Sequence, residues 1–439
     1  MANQKEFLTS FFYFLNEDKI NYCVLRNYQS LPESLNGSDL DILVSTKDIE
    51  RFYVSLRKTL LKNNGHIITE YGERTPRICV LGNSINGHYG LQIDVHEGML
   101  PYKVTNMFPV NFLLKRTKEH NKIKIADDKD ADFLAFLKEI FNNKTCEEKY
   151  FKNAQIAWFE NKEIYNKELI TIYNKSFLIK LDFLLNKNFS KKNIHSFSYI
   201  GSRILKNGFK TKIKIYKAMF NKFYRFIKPP GFTIAILGTD GSGKTTVFNE
   251  IRKPLNDAVH NSLYYEHMRP NLTPNIAQLF GANKHEKLTI NPHGSKPSGI
   301  LGSLFRLFYY SFDYIFGYWI KIYPVKVKKS CIWIFDRYYY DYLIDQKRAR
   351  INLPVWIIKA VEFLIPKPDL ILCLGTDPNI INDRKPELPI KEVVYQVEKL
   401  KSFCDSENRA VWIDTGGSIN LTVQNTLDTI INKMASKYK

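Results

Sequence analysis

The sequence predicts an α/β domain with a mainly parallel sheet over residues 229–439. Ahead of it come an α+β domain over residues 1–141 and a basic helical connecting region over 142–228. Three observations predict this. From Gly231 onward, short apolar runs alternate with helix-length segments, the pattern of strands joined by crossover helices. Pro229-Pro230-Gly231 stands directly before the first of those runs, and such a breaker marks a boundary. Upstream, helical periodicity and period-two strands share one short region.

In chain order, residues 4–19 repeat Phe7, Phe11 and Leu15 at four-residue spacing, which predicts a helix. Tyr22-Cys23-Val24-Leu25 reads as a short strand running into Arg26-Asn27. Gly37-Ser38-Asp39-Leu40-Asp41-Ile42-Leu43-Val44 then sets two aspartates two apart at the start of a strand, which puts both on one face. A further strand, Leu91–His96, carries Asp94. If it pairs beside the first, Asp39, Asp41 and Asp94 form a three-carboxylate set for one or two Mg²⁺.

Through the helix-like Asp130–Phe141, this region resembles a minimal nucleotidyltransferase domain of the polymerase-β type, on Gly37-Ser38, Asp39-x-Asp41 and Asp94. That family carries Gly-Ser on an earlier turn, separated from its acids by a short helix. Here Gly37-Ser38 abuts Asp39, and Arg26-Asn27 stands where the earlier turn is expected. The resemblance implies nucleotidyl transfer; the plainer alternative is a pair of aspartates capping a surface turn in a degenerate relative.

Residues 142–228 are rich in lysine and aromatics and read as several helices, among them Phe177–Leu185 and Ile213–Phe220. Lysines interleaved with Tyr and Phe suit a nucleic-acid backbone. Amphipathic helices with lysine stems lying over a core are the commoner origin of this pattern and are preferred here.

The bulk numbers bound the partners. At 439 residues, 44% hydrophobic and 25% charged, the chain has an ordinary globular balance and room for two or three domains. Its formal charge of +20 favours anionic partners such as nucleotides, an anionic glycan or an acidic membrane surface, unless the lysines are simply spread over solvated faces. The six cysteines lack metal-site spacing and several sit in apolar runs, so they read as free thiols. With no leader-like start, a cytoplasmic setting is expected. Ile300–Tyr323 is the most span-like stretch, but Arg306, Asp313 and Lys321 interrupt it at about 2.5–3.5 kcal/mol each, which disfavours a membrane span and leaves peripheral contact open.

The chemistry concentrates in Gly238-Thr239-Asp240-Gly241-Ser242-Gly243-Lys244-Thr245, a complete G-x-x-x-x-G-K-[ST] stretch between the apolar run Phe232–Leu237 and the helical segment from Thr246. Its glycines let consecutive N–H groups curl around a phosphate at a helix N-terminus. Lys244 then reaches the β- and γ-phosphates, and the Thr245 hydroxyl faces Mg²⁺. Further strands are expected at Cys331–Phe335, Leu370–Leu374 and Ala410–Ile413, the first ending on Asp336-Arg337. An acid at the C-terminal end of a parallel strand faces the ligand crevice, where Asp336 would hold a metal-bound water or take the acceptor's proton, and Arg337 would clamp a phosphate.

Together these motifs resemble the thymidylate kinase branch of the P-loop nucleoside-monophosphate kinases. The resemblance rests on Asp240 at the loop's third position, Asp336-Arg337-Tyr338, Pro368–Leu374 with Asp377-Pro378, the lid-like Arg384-Lys385, and Arg269-Pro270. It implies ATP and Mg²⁺ as cofactors, with Arg269 holding the acceptor phosphate and Arg384 closing over the transferred group. This chain departs from that pattern on the acceptor side: Tyr339–Asp345 replaces the family's base-reading segment, and no Glu follows Arg269. Arg306, Tyr310, Asp313 and Gly317 share one helix face and form either an acceptor pocket or a core helix with an Arg306–Asp313 pair. Because polar sites reject analogues lacking the matching group, dTMP is disfavoured against a sugar, glycan or phosphorylated acceptor. A true dTMP-like kinase, a nucleic-acid end-processing enzyme and an ATP-binding scaffold remain the alternatives, and a homodimer is compatible with each.

Overall fold

The computed structural model describes residues 2–72, 75–84, 87–102, 105–204, 223–274, 276 and 298–438. They fall into two compact units, Met1–Ile227 and Lys228–Lys439. The segment Ile213–Phe220, read above as helical, lies outside the described residues.

The first unit is built on strands β1 (Tyr22–Val24), β2 (Leu40–Val44), β3 (Gly65–Tyr71), β4 (Arg77–Ser84), β5 (Gly87–Glu97), β6 (Pro101–Tyr102), β7 (Thr105–Asn106), β8 (Thr117–His120) and β9 (Ile123–Ala126). Seven of these form one sheet in the order β3-β4-β5-β2-β1-β9-β8, while β6 and β7 pair separately. β2 runs parallel to β5, and Asp41 sits opposite Asp94. Alternation along the strands sorts the residues between two cores. Tyr22, Val24, Leu40, Ile42, Ile93 and Val95 face helices α1 (Ala2–Glu17) and α2 (Ile49–Lys62), through Phe7, Phe11, Phe52 and Leu56. Cys23 and Leu43 face the other way, toward α3 (Val110–Lys115) and α4 (Asp128–Asn143).

That second core continues through α5 (Glu148–Leu169), α6 (Lys175–Leu185) and α7 (Lys191–Ile204). Their inner sides bury Phe151, Trp158, Tyr165, Phe177 and Leu181, while lysines such as Lys149, Lys152 and Lys180 stay exposed. The helices following α4 therefore belong to the first unit's packing.

The second unit holds β10 (Phe232–Leu237), β11 (Leu263–His267), β12 (Ile332–Asp336), β13 (Leu370–Gly375) and β14 (Ala410–Asp414). They form a sheet in the order β11-β12-β10-β13-β14 in which every pair is parallel. Four of these strands, β10, β12, β13 and β14, fall where the sequence places them. β11 does not announce itself, because Leu-Tyr-Tyr-Glu-His is an edge strand only partly buried and so lacks a continuous apolar run. Helices α8 (Lys244–Ala258), α9 (Ile300–Gly317), α10 (Tyr323–Lys328), α11 (Asp341–Ile344), α12 (Val355–Glu362), α13 (Pro378–Arg384), α14 (Ile390–Ser406) and α15 (Ile419–Tyr438) complete the α/β unit. With β10 central, the loops at the C-terminal ends of β10, β12 and β13 converge at one edge of the sheet.

α9 buries Leu307, Ser311, Tyr314 and Gly317 against this core. Its outward side is also apolar, with Leu301, Phe305, Phe308, Phe312 and Phe316 exposed and Trp319 and Ile320 following. Among the described residues, no helix is long and apolar enough to cross a membrane.

Candidate active site

The phosphate loop turns where glycine permits it. Gly241 and Gly243 have φ of +87° and +86°, in the left-handed region that side chains disfavour. Gly238 packs so closely that a Cβ would lie 2.6 Å from the Leu374 carbonyl oxygen. α8 begins at Lys244, so the loop's amides and the helix N-terminus point the same way.

Lys244 Nζ donates to the carbonyl oxygens of Gly238 (2.8 Å) and Thr239 (2.9 Å). Burial, and then the Arg337 charge, push its pKa down to about 7. Asp336, ending β12, accepts at Oδ2 from the Tyr265 hydroxyl (2.8 Å), and His267 Nδ1 lies 3.7 Å from the same oxygen. Burial alone would raise the Asp336 pKa; the nearby His267 imidazole, the Lys244 charge and the Tyr265 hydroxyl hold it at about 2 instead. Asp336 Oδ1 is buried and has no hydrogen-bond partner among the described residues, as is also true of Ser242 Oγ. A buried, ionised carboxylate oxygen in a cavity that Thr245 also lines is a donor set that fits a hard divalent cation such as Mg²⁺.

Arg337 has φ of +73°, an uncommon conformation for a side chain of this size and of a kind that clusters at functional sites. It is buried, and it donates to Asp240 Oδ1 (2.6 Å) and Asp341 Oδ2 (2.6 Å). Arg348 donates to the other Asp240 oxygen at 2.5 Å. Against its own burial, Arg337 and Arg348 hold the Asp240 carboxyl well below the usual carboxylate range. Arg384 donates to the Thr415 carbonyl oxygen (2.9 Å), and Lys385 stands beside it. A cavity of about 460 Å³ is lined by Asp240, Gly241, Gly243, Thr245 and Thr246 together with Lys244, Asp336, Arg337, Arg348 and Arg384.

Arg269, Arg306, Tyr310, Asp313 and Tyr338, expected at the acceptor, do not line this cavity. Asp313 is fully buried and pairs with Arg269 Nη1 (3.0 Å), not with Arg306; it also accepts from the amides of Asn271 (3.1 Å) and Thr273 (2.8 Å). Arg269 lies over the Tyr310 ring, 5.1 Å from its centre. Arg306 donates to Ser298 Oγ (3.0 Å). The Arg306–Asp313 pair and the continuous polar stripe are thus replaced by two separate anchors, one tying residues 269–273 to α9 and one at its start. Gly317 belongs to the first, since a Cβ there would meet Pro270 at 2.5 Å. Tyr338 is buried and donates to the Pro366 carbonyl oxygen, so it packs in the core and does not line the cavity.

Several lining or clamping residues escape the sequence reading: Arg348, Tyr265, His267, Asp341 and Thr415. Only Asp341 had a local signal, four residues after Arg337. The others approach through tertiary folding.

In the first unit, Asp39, Asp41 and Asp94 are all buried and bring carboxylate oxygens within 4.8 Å of one another. Asp41 accepts from Arg26 Nε and stands 3.2 Å from His96 Nε2. Asp94 accepts from Arg77 Nε (3.0 Å) and Gln92 Nε2 (2.7 Å), and Arg26 Nη2 lies 3.4 Å from Asp39. Burial raises the Asp94 pKa and lowers that of His96, whereas Asp41, despite its burial, is pulled down by hydrogen bonding to His96 and the Lys138 charge. The donor type suits a divalent cation, although most of these oxygens already have protein partners.

A five-stranded parallel sheet with a phosphate loop after its central strand makes the second unit a P-loop kinase fold. More narrowly, residues 236–410 match the thymidylate kinase family, which implies an ATP-dependent phosphotransferase of that class. Among solved structures, the chain is similar to thymidylate kinase from Ehrlichia chaffeensis at 17% identity, with 46% of this chain and 100% of that one covered and a TM-score of 0.33. It is also similar to thymidylate kinase from Candida albicans at 19% identity, with coverage of 47% and 93% and a TM-score of 0.34. No curated protein sequence matches the chain. The nucleotidyltransferase resemblance of the first unit rests on its own residues.

Proposed function

We propose that the second unit transfers the γ-phosphoryl group of ATP to an anionic acceptor other than dTMP, a phosphorylated sugar, glycan or metabolite. One observation carries this: Arg337 and Arg348 share a single carboxylate, Asp240, at the rim of the phosphate cavity. On arrival of an acceptor anion both guanidinium groups can turn to it while Asp240 keeps them oriented. Lys244 exchanges its two loop carbonyls for the β- and γ-phosphate oxygens, and Arg384 covers the group in flight. Mg²⁺, held through Thr245 and Asp336, would supply charge neutralisation on the triphosphate. A carboxyl with a pKa of about 2 is a poor proton acceptor at neutral pH, so Asp336 serves as an electrostatic and cation-holding group. An acceptor that is already an anion needs no base, which favours a phosphate over a free hydroxyl. The test is a screen of nucleoside monophosphates, sugar phosphates and glycan fragments for ATP consumption. An acceptor-dependent rate that Lys244→Ala abolishes supports the reading; turnover unchanged in that variant refutes it.

A second activity is favoured by one specific observation, the convergence of Asp39, Asp41 and Asp94. On this reading the first unit transfers a nucleotidyl group, and Asp39→Asn/Asp41→Asn abolishes pyrophosphate release while the kinase activity persists. The chain is further proposed to act in the reducing cytoplasm, consistent with its six free cysteines. It is also proposed to pair as a homodimer through α9. Five apolar side chains on it (Leu301, Phe305, Phe308, Phe312 and Phe316) and two just beyond it (Trp319 and Ile320), each about half exposed or more, offer roughly 700 Å² if each carries about 200 Å², close to the ~800 Å² per partner of a standard interface.

A further inference from the structure

We propose that Arg26 and Arg77 are built-in cation surrogates: they occupy the three-aspartate cluster of the first unit and give it up only when a divalent cation arrives together with a phosphate-bearing ligand. The inference rests on the nucleotidyl-transfer reading of that cluster and adds how it is loaded.

The oxygens can be counted. Arg26 Nε and His96 Nε2 take the two oxygens of Asp41; Arg77 Nε and Gln92 Nε2 take the two of Asp94; Arg26 Nη2 reaches one oxygen of Asp39. Five of the six carboxylate oxygens therefore face a protein donor, and one of Asp39 remains. The two arginines differ from the other partners in exposure. Their side chains are 56% and 45% exposed over acids that are less than 10% exposed, so they form the outer lid of the cluster. Gln92 and His96 are buried within the fold.

Charge makes the exchange specific. Two guanidinium groups contribute +2, the charge of one divalent cation, so the swap leaves the buried acids equally compensated. The Arg77 guanidinium carbon lies 5.6 Å from the centre of the Tyr71 ring, a face it can keep while its N–H groups change partner. Each guanidinium has five N–H donors, and the aspartates take only Nε and Nη2 of Arg26 and Nε of Arg77. The natural new partner of both arginines is a phosphate, which arginine grips in bidentate fashion. Lys138 is a separate pointer to an anionic ligand. It is partly buried in α4, has no hydrogen-bond partner among the described residues, and its charge acts on the same three acids. Arg26 stands where the nucleotidyltransferase pattern places its phosphate-holding turn, so one side chain covers the acids in one state and the phosphate in the other.

A cation alone must break charge-assisted bonds without replacement, whereas a cation with a phosphate lets the arginines re-pair. Cation and phosphate therefore bind cooperatively, and the coupling is reciprocal. The test is Mn²⁺ binding to the full chain, followed by electron paramagnetic resonance of free Mn²⁺, with and without inorganic pyrophosphate. Arg26→Gln/Arg77→Gln should bind Mn²⁺ alone about 10- to 100-fold more tightly than the wild type, from the strength of the lost charge-assisted bonds. Asp41→Asn added to that variant should remove the gained site and separate it from the phosphate loop of the second unit. In the wild type, pyrophosphate should tighten the Asp41-dependent Mn²⁺ site by a similar factor, a measurement that stands even if the double variant misfolds. An Asp41-dependent site of equal affinity in wild type and variant, indifferent to pyrophosphate, overturns the surrogate role and leaves the metal site standing. Absence of any Asp41-dependent Mn²⁺ site in either protein overturns both.

Discussion

Lys244 offers a direct measurement of the phosphate site. Its ammonium is buried and neighboured by Arg337, which brings its pKa from 10.5 to about 7. A bound triphosphate reverses that environment, so the lysine stays charged in the complex. At pH 8, one unit above the pKa, about 90% of the free protein holds the amine neutral, and binding must therefore take up about 0.9 proton. At pH 6 the amine is already charged, and uptake falls to about 0.1 proton. The sign follows: affinity is flat below about pH 7 and drops about tenfold, or 1.4 kcal/mol, per unit above it. Isothermal titration of a non-hydrolysable ATP analogue at pH 8, in buffers of different ionisation enthalpy, gives the proton number as a slope. Lys244→Ala should flatten the slope. A wild-type slope near zero refutes the depressed pKa of Lys244, and a slope that persists in Lys244→Ala refutes the assignment of that proton to Lys244.

Three further outcomes follow from the packing. Asp313→Ala leaves Arg269 buried without its carboxylate and should cost about 3–5 kcal/mol of stability, measured by denaturant unfolding of the second unit. Phe308→Glu/Phe312→Glu charges the outward face of α9, where both rings are exposed, and should yield a monomer by light scattering at concentrations where the wild type is dimeric. Burial alone would raise the Asp369 pKa, but Lys326 and Lys437 hold it below its ordinary value. Its contribution to stability is therefore complete above about pH 4 and lost as pH falls further, so Asp369→Asn should flatten the acid limb of the stability profile.

Much of the second unit was legible because its signals are local. Gly241, Gly243 and Lys244 sit in one contiguous stretch whose backbone conformation only glycine accepts comfortably, and buried parallel strands must be apolar along their length. Asp336 and Arg337 were readable for the same reason, since they end such a strand. The edge strand β11 was not, because half of it faces away from the core and is free to be polar. In the first unit, the two-residue spacing of Asp39 and Asp41 was visible in the chain, and only the parallel pairing of β2 with β5 could bring Asp94 to them.

Partner choice among charges was settled by the tertiary fold alone. On the sequence, Arg306 and Asp313 are neighbours on one helix face; in space, Asp313 is taken by Arg269 and two backbone amides from another segment. Likewise nothing near Asp240 in the chain names Arg348, which arrives from 108 residues away. The composition, the phosphate loop and the strand pattern were determined residue by residue, through local sterics and burial. Which guanidinium meets which carboxylate depends on how whole elements stack, because a long flexible side chain pairs with whatever the fold delivers.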